Sequence, residues 1–215
     1  AADVALLKAG DLMRAEAEGE PSELDGAKAA YAAEKDLIRH EDFAKRIETG
    51  TAAVAKRDWQ TADSAIEGAE SLLNPDFSPE SEPDALEALK TACAAEKDLQ
   101  RHENLVKVLE EGKIAVVARN WKSAGIAIVS AENLATEDAV EQDAILNLQH
   151  LLDDGIEAER REAFVATLEA AKKKIVAKDW TGAASTADEA SGKAKGDDEA
   201  KEVRDVRDAL SAAKA

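Results

Sequence analysis

The stretch AEKDLQRHENLVKVLEEGKIAVVARNW, residues 95–121, decides the fold. A near copy lies upstream, AEKDLIRHEDFAKRIETGTAAVAKRDW at 33–59, and a weaker one downstream, IEAERREAFVATLEAAKKKIVAKDW at 156–180. Each copy ends on a tryptophan, Trp59, Trp121 and Trp180, spaced 62 and 59 residues apart. Self-similarity at a near-constant period is the mark of a repeat architecture.

Within each copy, apolar or small residues recur at intervals of 4, 3 and 4. They are Phe43, Ile47, Gly50, Val54, then Leu105, Leu109, Gly112, Val116, then Phe164, Leu168, Ala171, Ile175. This spacing puts them on one face of an α-helix, helix A. After each tryptophan comes a smaller-faced stripe, helix B: Ala62, Ile66, Ala69, Leu72, then Ala124, Ile128, Ala131, Leu134, then Ala183, Ala187, Ala190. A polar or breaker-rich turn follows, as at Asn74-Pro75 through Pro83. Then comes a third stripe, helix C: Leu86, Leu89, Cys93, then Ile145, Leu148, Leu152, then Val203, Val206, Leu210. An earlier copy of helix C reads Leu24, Ala27, Tyr31.

Almost nothing interrupts the chain between helix C and the next helix A. Asp84 to Glu111 contains neither Gly nor Pro. The run Asp84 to Arg119 therefore reads as one helix of roughly 35 residues, about 50 Å long. In the following copy, Asp153-Asp154-Gly155 suggests a kink. Three stripes facing one another make a three-helix bundle, and C flowing into A joins successive bundles. The expected fold is all-α: tandem three-helix-bundle repeats joined by long continuous helices in an elongated array. Its parts are an N-terminal half-bundle of helices B and C over 1–36, repeat 1 over 37–97, repeat 2 over 98–156 and repeat 3 over 157–215. The half-bundle has no helix A, and two amphipathic helices alone bury too little apolar surface to offset their ordering. Leu6, Leu12, Leu24 and Tyr31 are therefore expected to form an interface, covered by a helix from a second copy, a partner or an upstream segment. The three tryptophans are expected to plug the A–B turns, largely buried.

Composition narrows the function. The 215 residues are 45% hydrophobic but only 3% aromatic, and 34% charged. The net charge of -18 repels phosphate backbones, so nucleic acid is not the expected partner. Anionic lipid is disfavoured for the same reason. No apolar run approaches the ~18 residues of a membrane span. The single cysteine, Cys93, excludes an intrachain disulfide and sits at the Tyr31 and Leu152 position of a core stripe. The sequence opens Ala1-Ala2-Asp3, which fits a processed mature end or an excised fragment, with export after signal removal as the corresponding location.

The A–B hairpin resembles a tetratricopeptide repeat. The residues that carry the likeness are Gly50, Asp58-Trp59, Ala62 and Ala69, with Pro75 beyond, then Gly112, Asn120-Trp121, Ala124 and Ala131, then Ala171, Asp179-Trp180, Ala183 and Ala190. The likeness covers the hairpins, about half of the chain, at a period of roughly 60 rather than about 34 residues. It implies packed helical hairpins and an adaptor that binds a peptide or partner protein on a concave face. The unbroken C-to-A helix is similar in topology to the connectivity of spectrin repeats.

Catalytic equipment is not visible. His40 and His102 occupy equivalent positions, with Arg161 in the third copy, and Glu41 and Glu103 lie beside them. Neither a His-x3-His pair nor a Cys cluster completes a metal site, and His150 has no motif around it. The acidic runs Asp76–Glu82 and Asp197–Glu199 do not match the twelve-residue EF-hand loop. There is no phosphate-binding Gly loop, Gly-x-Ser-x-Gly or His-Glu-x-x-His. The expectation is a protein that is not an enzyme and needs no cofactor or metal. Its work would be structural or spacer work through a protein partner or self-association. The alternatives are the tetratricopeptide-like adaptor and a metal-binding or catalytic bundle using His40 and His102.

Overall fold

The computed structural model describes residues 21–73 and 81–214, with the side chains of 21–24 outside the description. Among the described residues there are seven helices and no strand. They are α1 Pro21–Ala55, α2 Trp59–Glu70, α3 Ser81–Val117, α4 Trp121–Leu134, α5 Ala139–Val176, α6 Trp180–Lys193 and α7 Gly196–Lys214. No helix among them is long and apolar enough to cross a membrane.

The long helices run without interruption. α3 spans 37 residues and includes all of the C and A stripes assigned to it. α5 spans 38 residues and continues through Asp153-Asp154-Gly155, where a kink was expected. Gly155 serves a close approach instead: a Cβ there would lie 2.8 Å from Cη2 and Cζ3 of Trp121.

The chain divides into two compact units between Gln100 and Arg101. In the first, Ala53, Val54, Ala62, Leu89 and Cys93 form one buried cluster, and Phe43, Ala69 and Leu86 a second. The second unit holds one cluster of Leu105, Leu109, Ile128, Ala131, Ile145 and Leu148 and another built on Phe164, Leu168, Ala187, Ala190, Val203 and Val206. Each cluster draws on one A, one B and one C segment, so the three stripes do face one another. The B helices contribute almost only Ala at the contact, which lets backbones come close. A Cβ on Gly112 would sit 2.5 Å from Cδ2 of Leu148 and 3.1 Å from Cβ of Ala127. Gly50 repeats this against Leu89 at 2.6 Å and Ala65 at 3.3 Å.

The A–B corners are built the same way three times. Arg57, Arg119 and Lys178 adopt left-handed backbone, with φ of 56, 55 and 60°. The next residue donates its N–H back five positions, Asp58 to Ala53, Asn120 to Ala115 and Asp179 to Lys174, at 3.0, 2.8 and 3.0 Å. This is the Schellman arrangement that satisfies the last carbonyls of helix A. The same residue then caps helix B: the side chains of Asp58, Asn120 and Asp179 accept from the N–H groups of Thr61, Ser123 and Gly182. One residue thus closes one helix and opens the next, which makes the corner short and fixes its direction.

Candidate functional site

The feature that recurs in all three repeats is a buried ion pair which ties three helical segments together. Helix B ends with carbonyls that have no intrahelical donor, and the negative end of its dipole favours a cation there. Arginine supplies it. Arg39 Nη1 donates to the Leu72 carbonyl at 3.0 Å, Arg101 Nη1 to that of Leu134 at 2.9 Å, and Arg160 Nη1 to that of Lys193 at 2.6 Å. Each guanidinium also holds a glutamate near the start of the following helix C. Arg39 reaches Glu82 at 2.8 Å. Arg101 forks onto both oxygens of Glu141 at 3.0 and 2.9 Å, and Arg160 onto both of Glu199 at 2.7 and 2.8 Å.

These glutamates are three of only five buried polar residues described, at 7, 6 and 9% exposure. Their remaining lone pairs are used by the B–C turn. Glu141 accepts from the N–H and hydroxyl of Thr136 at 2.8 and 3.0 Å, and Glu199 from the N–H of Lys195 at 2.6 Å. Hydrogen bonding to Arg101 above all holds the Glu141 carboxyl at about 2, and Arg160 does the same for Glu199, also at about 2. Glu157, bonded first to Arg160 and then to Lys195, is likewise lowered to about 2. Asp36 is lowered by its bond from Arg39, and the Arg39 guanidinium is raised chiefly by Glu82.

The histidines belong to this cluster. His40 lies between Glu82, which Nδ1 contacts, and Asp36, which is 3.2 Å from Nε2. His102 Nδ1 is 3.2 Å from Glu141. Among the described residues no group of three His, Cys, Asp or Glu side chains is gathered to hold a metal ion. Cys93 is a buried thiol whose Sγ is 4.0 Å from Asp63.

The tryptophans depart from expectation. Each is the first residue of its B helix, but all three are half-buried rather than enclosed. The reason is that the indole sits outside the corner, where one following helix covers it. Trp59 Nε1 donates to Gln100 at 2.7 Å, and Lys97 Nζ stands 5.9 Å from its ring centroid. Trp121 Nε1 donates to Glu159, and its ring edge crosses Gly155. Of the expected interface residues, Leu6 and Leu12 lie outside the described residues, as does the side chain of Leu24. Tyr31 is 49% exposed.

The latch residues were not singled out from the sequence, although a signal was present. An arginine stands at one place in all three copies, directly before His40, His102 and Arg161. A glutamate stands four residues before Leu86, Ile145 and Val203. In comparison with known proteins, the chain matches no family model, no curated protein and no solved structure.

Proposed function

We propose that the chain is a non-enzymatic helical-repeat protein, tandem in organisation over 37–97, 98–156 and 157–215, that does structural or spacer work through protein–protein contacts and self-association. The observation that carries this reading is the use of its recurrent polar residues. Arg39, Arg101 and Arg160 with Glu82, Glu141 and Glu199 are committed to holding helices, and the His40 and His102 rings lean on the same carboxylates. A catalytic group needs access to a substrate and a tuned proton affinity. These groups instead satisfy helix ends.

The tetratricopeptide-like adaptor is the second reading. It is favoured by the close hairpin contacts at Gly50 and Gly112, the positions on which the resemblance rests. Mass and scattering measured from micromolar to millimolar concentration separate the two. The structural reading expects mass to rise with concentration. A constant monomer mass, together with capture of one extended peptide at one-to-one stoichiometry, would replace it by the adaptor.

A further inference from the structure

Two exposed valines close the flank of helix A in repeat 2 and again in repeat 3. On α3, Val106 and Val117 are 52 and 86% exposed, and on α5, Val165 and Val176 are 46 and 84% exposed. Between them lie Glu110 and Lys113 on α3 and Glu169 and Lys172 on α5, all exposed. The residues follow one another at intervals of 4, 3 and 4, so each set forms one narrow stripe along its helix. Each stripe reads Val, Glu, Lys, Val. The equivalent positions of repeat 1 are Ala44, Glu48, Thr51 and Ala55, without the valines or the lysine.

That order is self-complementary in one orientation only. If two such stripes run antiparallel, Val106 meets the Val117 of the other copy, and Glu110 meets its Lys113. The same holds for Val165 with Val176 and Glu169 with Lys172. A parallel pairing would set Glu against Glu and Lys against Lys. Reciprocal contacts of this kind define an isologous two-fold interface. We infer that the Val106–Val117 and Val165–Val176 stripes are docking surfaces for a second copy of this chain, paired antiparallel, valine on valine and glutamate on lysine. The inference rests on the self-associating reading above and names its contact.

The stripe limits the strength of the contact. It is roughly 16 Å long at 1.5 Å per residue. Stable complexes bury about 1,200–2,000 Å² in total, which is more than one short valine stripe offers. A single pairing is therefore weak, and two stripes on one chain raise the apparent affinity when both engage. The net charge of -18 opposes association until salt screens it, so physiological ionic strength is the condition to use.

The test is a charge swap followed by mixing, read by sedimentation equilibrium in about 0.15 M salt. E110K/E169K makes both stripes positive, and K113E/K172E makes both negative. The altered side chains are exposed, and circular dichroism checks that helicity is kept. Each variant alone is expected to self-associate at least tenfold more weakly than the unaltered chain, and an equimolar mixture to recover association to within threefold. V117D/V176D should lose it with no rescue by either charge variant. E48K, on the repeat 1 flank, should change nothing. Charge variants that associate like the unaltered chain, or a mixture no stronger than its components, overturn the stripe while leaving self-association through another surface. An unaltered chain that stays monomeric at every concentration overturns the stripe and the self-associating reading together.

Discussion

Gly112 and Leu148 form a matched pair, and repeat 3 carries its natural counterpart. Where repeat 2 has Gly112 on helix A and Leu148 on helix C, repeat 3 has Ala171 and Val206, both buried in one cluster. Moving one carbon from C to A keeps the local volume. The perturbation is therefore Gly112→Ala, then Leu148→Val, then both. In a helix interior, Gly→Ala alone is worth about 1 kcal/mol in favour of the variant. Here the new Cβ would lie 2.5 Å from Leu148 Cδ2 and 3.1 Å from Ala127 Cβ. Leu148 is fully buried, so its methyl has no solvent to swing into. Overpacking of this kind costs about 1–3 kcal/mol, which offsets the helix gain and leaves a net loss of up to ~2 kcal/mol. Leu148→Val removes one buried carbon and loses about 1 kcal/mol. The double variant relieves the clash, fills the space and recovers the helix gain. It should unfold close to the unaltered protein, at least ~1 kcal/mol better than the sum of the single changes.

The assay is urea unfolding in a Trp59→Phe, Trp180→Phe background, so that Trp121 alone reports on its repeat. The changes in the four-member cycle must be additive to within about 0.5 kcal/mol if the two sites are independent. Additivity would refute the matched-pair reasoning. So would a Gly112→Ala variant stabilised by the full helix-propensity gain, because it would mean that the core yields freely at this contact.

Three further outcomes follow from the corners and the latch. Lys178 holds left-handed backbone at φ 60°, so Lys178→Gly should raise thermal stability by up to about 1 kcal/mol; a lower melting temperature would mean that the lysine side chain matters more than the backbone. Glu141, Glu157 and Glu199 titrate near 2 in the fold against an ordinary value of 4.5, so the folded state binds fewer protons. The stability they contribute is complete above about 4.5 and is lost as pH falls towards 2, and Glu199→Gln should flatten the stability-versus-pH curve in that window and leave it unchanged in shape above it. Arg101→Met should destabilise strongly, because it strands a buried carboxylate, and adding Glu141→Leu should recover part of the loss; a double variant less stable than the single one would show that the Thr136 bonds to Glu141 outweigh the stranded charge.

What could be read in the sequence was what hydrophobic periodicity encodes. The A, B and C stripes are the buried positions: Leu105 is 1% exposed, Ala124 0% and Leu148 0%. The unbroken α3 followed from the lack of Gly and Pro between Asp84 and Glu111. Tryptophan burial was overestimated, because a repeat position reveals that a residue has one role without revealing how many sides of the ring are covered. The kink expected at Gly155 was a misreading of a glycine needed for contact with Trp121. The Arg–Glu latch was passed over for a different reason. Its partners lie 43, 40 and 39 residues apart, and in a chain with 34% charged residues each one alone resembles a solvated helix face.

Those separations also explain why the repeat period is slack while the helices are not. Glu82 and Arg101 lie 19 residues apart on α3, and Glu141 and Arg160 lie 19 residues apart on α5. On α5 that corresponds to about 28 Å of continuous helix. The variation resides in the B–C connections: Glu70 to Ser81, Leu134 to Ala139 and Lys193 to Gly196 become progressively shorter. An insertion in a surface connection adds little free energy, whereas one inside α5 would rotate every following side chain by about 100° and separate Arg160 from its carbonyl and carboxylate. The latch thus marks the part of the repeat whose length cannot drift. Alanine-faced B helices give little shape information of their own, and a charged fork that must meet a helix end and a buried carboxylate at once supplies the register that small apolar contacts leave loose.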